Sequence, residues 1–115
     1  MSDESHLGPL HHVGVAVRNI ESAAADFTAA FGAVAESAIV VDEAQAARIL
    51  FMTMHGARIE LLQPHGESSH LWGIVNRGIG VYHTCHETTN MEKTLEHLEA
   101  NGARIISPPK PAVAF

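Results

Sequence analysis

One passage occurs twice in this chain, and that repeat limits its fold more than any other feature. Residues 12–33 read HVGVAVRNIESAAADFTAAFGA and residues 83–103 read HTCHETTNMEKTLEHLEANGA. At an offset of 71 positions, His12 falls on His83, Asn19 on Asn90, Ile20 on Met91, Glu21 on Glu92 and Phe27 on Leu98. Dropping one residue from the second copy then aligns Gly32-Ala33 with Gly102-Ala103. Self-similarity at a fixed spacing marks a repeated structural unit. Each copy opens with a histidine at the head of an apolar strand. Two such units packed about a pseudo-twofold axis bring those histidines together, which is a short route to a metal site.

Periodicity places the elements. Residues 11–18 alternate as a strand, with Val13, Val15 and Val17 on one face and His12, Gly14 and Ala16 on the other. Asn19 reads as a helix N-cap and Glu21 suits the first turn. Ile20, Ala23, Ala24, Phe27, Ala30 and Phe31 keep helical spacing, and Gly32 ends the helix. Residues 34–41, 47–54 and 57–64 read as three more strands, so the first unit is β-α-β-β-β. A short helix over 69–77 follows, with Leu71, Trp72, Ile74 and Val75 as its apolar residues and Trp72 as a core anchor. The second unit restarts with a strand at 80–87, a helix at 91–100 capped by Asn90, and a strand at 103–107. Pro108, Pro109 and Pro111 then force an extended exit toward a final AVAF. The counterparts of the first unit's last two strands fall beyond residue 115.

Bulk properties exclude several classes. With 115 residues the chain is expected to form one domain, divided into module one at about 9–64, a connecting helix at about 68–77 and a partial module two at about 79–115. The net charge of −6 is spread along the chain, without the basic stripe that a nucleic-acid partner calls for. No apolar run is long enough to span a membrane. The polar start MSDESHLGPL lacks the features of a secretory signal. The lone Cys85 excludes an intrachain disulfide and suits a reducing compartment, so a cytoplasmic location is expected.

Three residues carry the candidate chemistry. Imidazole is the commonest protein ligand for divalent metals, and His12 and His83 occupy matched positions facing the small-residue side of their strands. A single histidine is more often just packed or hydrogen-bonded, and the matched pair is what shifts that balance. Glu60 lies mid-strand in RIELL, opposite in facing to Ile59 and Leu61. A buried carboxylate there needs a partner, which a metal would supply; an outward-facing glutamate is the alternative. Alternation puts Glu87 and Cys85 on the His83 face, the first as a strand-end charge and the second as a small core residue. His11 and His86 point away by the same rule, while His65 and His70 belong to a polar connection.

At these residues the chain resembles the vicinal oxygen chelate (glyoxalase / bleomycin resistance / dioxygenase) superfamily. LHHVGVAV at 10–17 is similar to the opening strand of glyoxalase I-like and methylmalonyl-CoA epimerase-like proteins. ARIELLQPHGESSHLWGIVNRGIGVYH at 57–83 is similar to the epimerase stretch that joins a ligand-bearing strand to the second histidine strand. The resemblance implies an α+β fold of paired βαβββ modules, whose curved mixed sheet forms a cleft around one divalent metal, here with the second module truncated at its C-terminus. It implies His12, Glu60 and His83 as ligands, and a fourth, a glutamate near position ~130, beyond this chain. Some epimerases also carry a catalytic glutamate on the third strand. The corresponding stretch here, Ala46-Ala47-Arg48-Ile49-Leu50, has no carboxylate.

The leading expectation is therefore a metal-dependent isomerase or lyase that transfers a proton next to a carbonyl. A Co, Ni, Zn, Mn or Mg ion would act as Lewis acid, and Glu60 as ligand and base. The resemblance implies a small-molecule substrate such as an acyl-CoA or a thiol adduct, and a homodimer. Two alternatives stand beside it: a metal-free binding module like the bleomycin-resistance proteins, and a non-haem iron dioxygenase of extradiol type.

Overall fold

The computed structural model describes residues 4–111. Its elements are β1 (Leu7–Ala16), α1 (Ile20–Phe31), β2 (Val34–Ala35), β3 (Val40–Asp42), β4 (Ala47–Met54), β5 (Ala57–Pro64), α2 (Leu71–Asn76), β6 (Val81–Thr88) and α3 (Met91–Ala100). Six strands form one mixed, unclosed sheet in the order β2-β4-β5-β1-β6, with β3 also beside β4. β1 runs parallel to β5 and antiparallel to β6, which sets the two histidine strands side by side at the centre of the site.

The repeat is visible in the helix caps. Asn19 Oδ1 accepts from Ser22 N–H at 2.8 Å, and Asn90 Oδ1 accepts from Lys93 N–H at 3.0 Å. Gly32 closes α1 in the left-handed region (φ 70°), with its N–H on Thr28 C=O and the Ala33 N–H on Phe27 C=O.

Alternation along the strands divides the core in two. Ile20, Ala33, Leu50, Met52, Ile59 and Leu61 pack between the sheet and α1. On the other face Ala47, Ile49, Phe51 and Leu62 pack with Leu71 of α2. Leu61 is 0% exposed, and truncating it removes core contacts that the surrounding strands cannot close over. Leu61→Ala is expected to cost about 2–5 kcal/mol, read as a lower urea midpoint with an unchanged slope.

Four expectations need correction. The strand expected at 34–41 is present as two pieces, β2 and β3, both paired to β4 on the same side, with the chain bending at 36–37 between them. No strand forms at 103–107; the segment is exposed, with Ile106 at 87%. A strand needs a ladder partner. In the first unit the segment after α1 pairs with β4, and among the described residues no strand takes that place beside 103–107. The open edge of the second unit is therefore β6 itself, which has β1 as its only strand partner among the described residues. Trp72 is no core anchor: it is exposed, its indole N–H donates to Gly66 C=O at 2.9 Å, and Leu71 takes the buried place beside it. His11 does not point away from His12, for a reason of register given below. The AVAF end at 112–115 lies outside the described residues.

Candidate metal centre

The face of the sheet that carries Phe51 and Leu62 also carries His12, Glu60 and His83, one each from β1, β5 and β6. Register dictates this. Gly14 of β1 lies between Glu60 on one side and His83 on the other as cross-strand partner to both. Having no side chain, Gly14 leaves room for the His83 imidazole above it; a Cβ there would overlap the ring. His12 stands two residues back on the same face and leans into the same space.

The three polar tips nearly form an equilateral triangle. His12 Nε2 is 3.2 Å from Glu60 Oε1, His83 Nε2 is 3.2 Å from the same oxygen, and the two nitrogens are 3.3 Å apart. His12 is 3% and Glu60 6% exposed, and His83 is half-buried. The ring of His12 stands edge-on to those of Phe51 and His83, at centroid distances of 5.0 and 5.4 Å.

Behind His12 is a polar chain. Arg58 Nη1 lies 2.9 Å from His11 Nε2, and His11 Nδ1 lies 2.8 Å from His12 Nδ1. A guanidinium only donates. His11 therefore accepts at Nε2, carries its proton on Nδ1 and donates to His12 Nδ1. The proton of His12 then sits on Nε2, where it is donated to Glu60. Burial, ahead of the neighbouring histidines, holds the His12 pKa below its ordinary value despite the opposing pull of Glu60. A neutral imidazole is the form that can ligate a metal.

His11 belongs to this cluster because the ladder is irregular. Leu10 pairs with His86 and His12 with Cys85, so β1 advances two residues while β6 advances one. That is a β-bulge, and it turns His11 toward His12. Strict alternation on a single strand does not reveal it; the doubled HH is the only hint in the sequence. A second shift near Tyr82, between the Gly14 and Val15 pairs, lets Tyr82 pack on the Leu62–Leu71 cluster, with its ring 4.6 Å from that of His83. Burial, with Glu60 adding to it, pushes the Tyr82 phenol well above its usual range. Sequence reasoning passed over both His11 and Tyr82.

Other candidates stand apart. Glu87 is exposed and lines a different cavity of about 920 Å³ on the α1 side, among Val13, Val15, Phe27, Ile59 and Val81. That cavity touches His12 but neither Glu60 nor His83. His65 pairs with Glu43 at 3.2 Å on the surface.

The donor set fits a divalent ion. Neighbouring ligands of an octahedral metal at 2.0–2.2 Å lie about 3 Å apart, close to the spacings of the triangle. Two nitrogens and a carboxylate on one side leave positions open for water or substrate, unlike a closed structural zinc site. Among the described residues no buried side-chain N or O lacks a hydrogen-bond partner, so the imidazoles already satisfy Glu60. A metal at Nε2 would require each ring to carry its proton on Nδ1 instead, which at His12 reverses the hydrogen bond with His11 and displaces the Arg58 contact.

Comparison with known proteins points the same way. Residues 11–114 match the model of the Glyoxalase/Bleomycin resistance protein/Dioxygenase superfamily. The chain is 33% identical over 110 residues to the ethylmalonyl-CoA/methylmalonyl-CoA epimerase of Cereibacter sphaeroides, covering 93% of this chain and 81% of that one. It is 31% identical over 104 residues to the human mitochondrial methylmalonyl-CoA epimerase, covering 89% of this chain and 58% of the human one. Among solved structures, methylmalonyl-CoA epimerase from Mycobacterium tuberculosis superposes with a TM-score of 0.83 over 99% of this chain and 78% of its own, at 22% identity. At that identity the superposition shows the shared fold.

Proposed function

The chain belongs to the glyoxalase/bleomycin resistance/dioxygenase superfamily, and from that premise we propose an epimerase that moves the proton next to the carbonyl of an acyl-CoA thioester. His12, Glu60 and His83 would hold a divalent metal. The epimerase relatives support an isomerase-type chemistry. The observation that carries the reading to this chain is the triangle of His12 Nε2, Glu60 Oε1 and His83 Nε2 on adjacent strands.

The bound ion would serve as a Lewis acid for the substrate carbonyl, lowering the cost of removing the neighbouring proton. The protein's own residues do the rest. Glu60 is the carboxylate in position to take the proton. His11 orients the His12 ring through the 2.8 Å contact. Phe51, Leu62 and Leu71 form the buried apolar layer on the same face as the three donors. Tyr82 stays protonated beside His83, which makes its hydroxyl a donor. The relatives' names point to 2-alkylmalonyl-CoA thioesters as the substrate class.

The test is deuterium exchange. The purified chain is incubated with ethylmalonyl-CoA or methylmalonyl-CoA in D2O, and the C2 proton is followed by NMR with and without chelator. Enzyme-dependent loss of that signal, suppressed by the chelator and restored by Co2+ or Zn2+, is the expected result. Tight binding without exchange, indifferent to chelator, would move the protein to the binding-module class. Bound ferrous iron with catechol cleavage would move it to the dioxygenases.

A further inference from the structure

We propose that His11, His12 and Cys85 form a second metal cradle, which takes a soft or borderline cation of the zinc and cadmium class. Their ligating atoms lie within 4.8 Å of one another. The cradle adjoins the first site and shares the His12 ring with it. That ring offers Nε2 to Glu60 and Nδ1 to His11, so one imidazole separates two donor groups.

Two accidents of register build it. Cys85 is the direct cross-strand partner of His12, and such partners have Cβ atoms about 4.5–5.5 Å apart. The bulge between Leu10 and His12 then brings His11 to the same side. Ligands around a tetrahedral zinc lie about 3.5 Å apart, a spacing inside the 4.8 Å that bounds these donor atoms. Arg58 does not oppose a cation here with its full charge, because Glu36 holds it at 2.9 Å.

The chemistry of the donors separates the two sites. Two imidazoles and a carboxylate suit harder divalent ions, whereas two imidazoles and a thiolate select softer ones. With no cation, burial, aided by Glu60 and Glu87, keeps the Cys85 thiol protonated and unreactive. A bound cation reverses that balance, and the thiol proton passes to solvent. Filling both sites at once would require His12 to ligate through both ring nitrogens and lose its remaining proton, so the two are expected to compete.

The proposal shares only His12 with the epimerase reading and does not depend on it. Its test is a titration of the full chain with Cd2+ alone, followed by the thiolate-to-cadmium charge-transfer absorption in the ultraviolet, with far-ultraviolet circular dichroism to check folding. The wild-type chain is expected to show a saturable band at one equivalent. Cys85→Ser should abolish it. His11→Ala should weaken cadmium affinity by at least about tenfold. His11→Phe keeps an aromatic ring against Phe51 and His12 and should show the same loss, which separates ligation from packing. His83→Ala, which strips a ligand from the first site only, should leave the band in place. A band that is unaffected by both His11 variants, or that disappears with His83→Ala, would overturn the proposal. Failure of the epimerase reading shows instead as a lack of C2 exchange and leaves this titration unchanged.

Discussion

His12→Ala is expected to abolish metal binding and turnover together, whereas Glu60→Gln should keep the metal and lose the rate. The two substitutions touch atoms 3.2 Å apart, yet the physics separates them. His12 supplies one of two imidazole nitrogens, and its Nδ1 side also anchors His11. Alanine there removes a ligand and opens a hole beside Phe51, leaving Glu60 and His83 too few to hold an ion in competition with water. Glutamine at 60 preserves shape and still offers an oxygen to the metal, but it cannot accept a proton. A general base contributes about 10²–10⁴-fold, and a loss of that size in C2 exchange, at unchanged metal content, is the signature of Glu60 as base. Metal content is read by atomic emission after dialysis, and exchange by NMR. Full exchange by Glu60→Gln with metal bound would reduce Glu60 to a ligand and place the base elsewhere. Ligand binding by a metal-free His12→Ala protein would favour the binding module.

What the sequence made legible is what periodicity can carry. The repeat located β1 and β6, both N-caps and the histidine pair, because each follows from a pattern along one segment. Glu60 was legible for the same reason: its neighbours Ile59 and Leu61 belong to the α1-side core, so alternation sends it to the other face. The misses share a different origin. His11 joins the site through a bulge, and a bulge belongs to a pair of strands, invisible in either one alone. The segment 103–107 has the composition of a strand but no ladder to join, and composition cannot say whether a partner is present. Trp72 and Leu71 are adjacent on a short helix, where one residue of phase decides which is buried. Periodicity sent His12, Glu60 and His83 to one face, while His11 and Cys85 come beside His12 through pairing geometry.

Gly14 is the position where a single methyl group should do most damage to the site at least cost to the fold. Its backbone is in an ordinary strand conformation, so alanine there brings no dihedral strain. The conflict is purely spatial: the Cβ would overlap Cε1, Nδ1 and Nε2 of the His83 imidazole. The core strands cannot yield, since Gly14 is paired on both sides, to Glu60 and to His83. The ring can yield, because the His83 side chain is about one-third exposed (31%) and has solvent to swing into. Gly14→Ala is therefore expected to expel His83 from the triangle and leave His12 and Glu60 paired alone. Metal affinity should fall by at least about 10–100-fold, and C2 exchange with it. Cadmium binding through Cys85 should persist, since the atoms nearest that methyl all belong to the His83 ring. Thermal stability should move far less than in Leu61→Ala, because the displaced ring is a surface-reaching side chain rather than buried core. The decisive comparison is Gly14→Ala against His83→Ala: matching losses of metal affinity identify ring displacement as the cause. A Gly14→Ala protein with wild-type affinity would show that His83 is not a ligand.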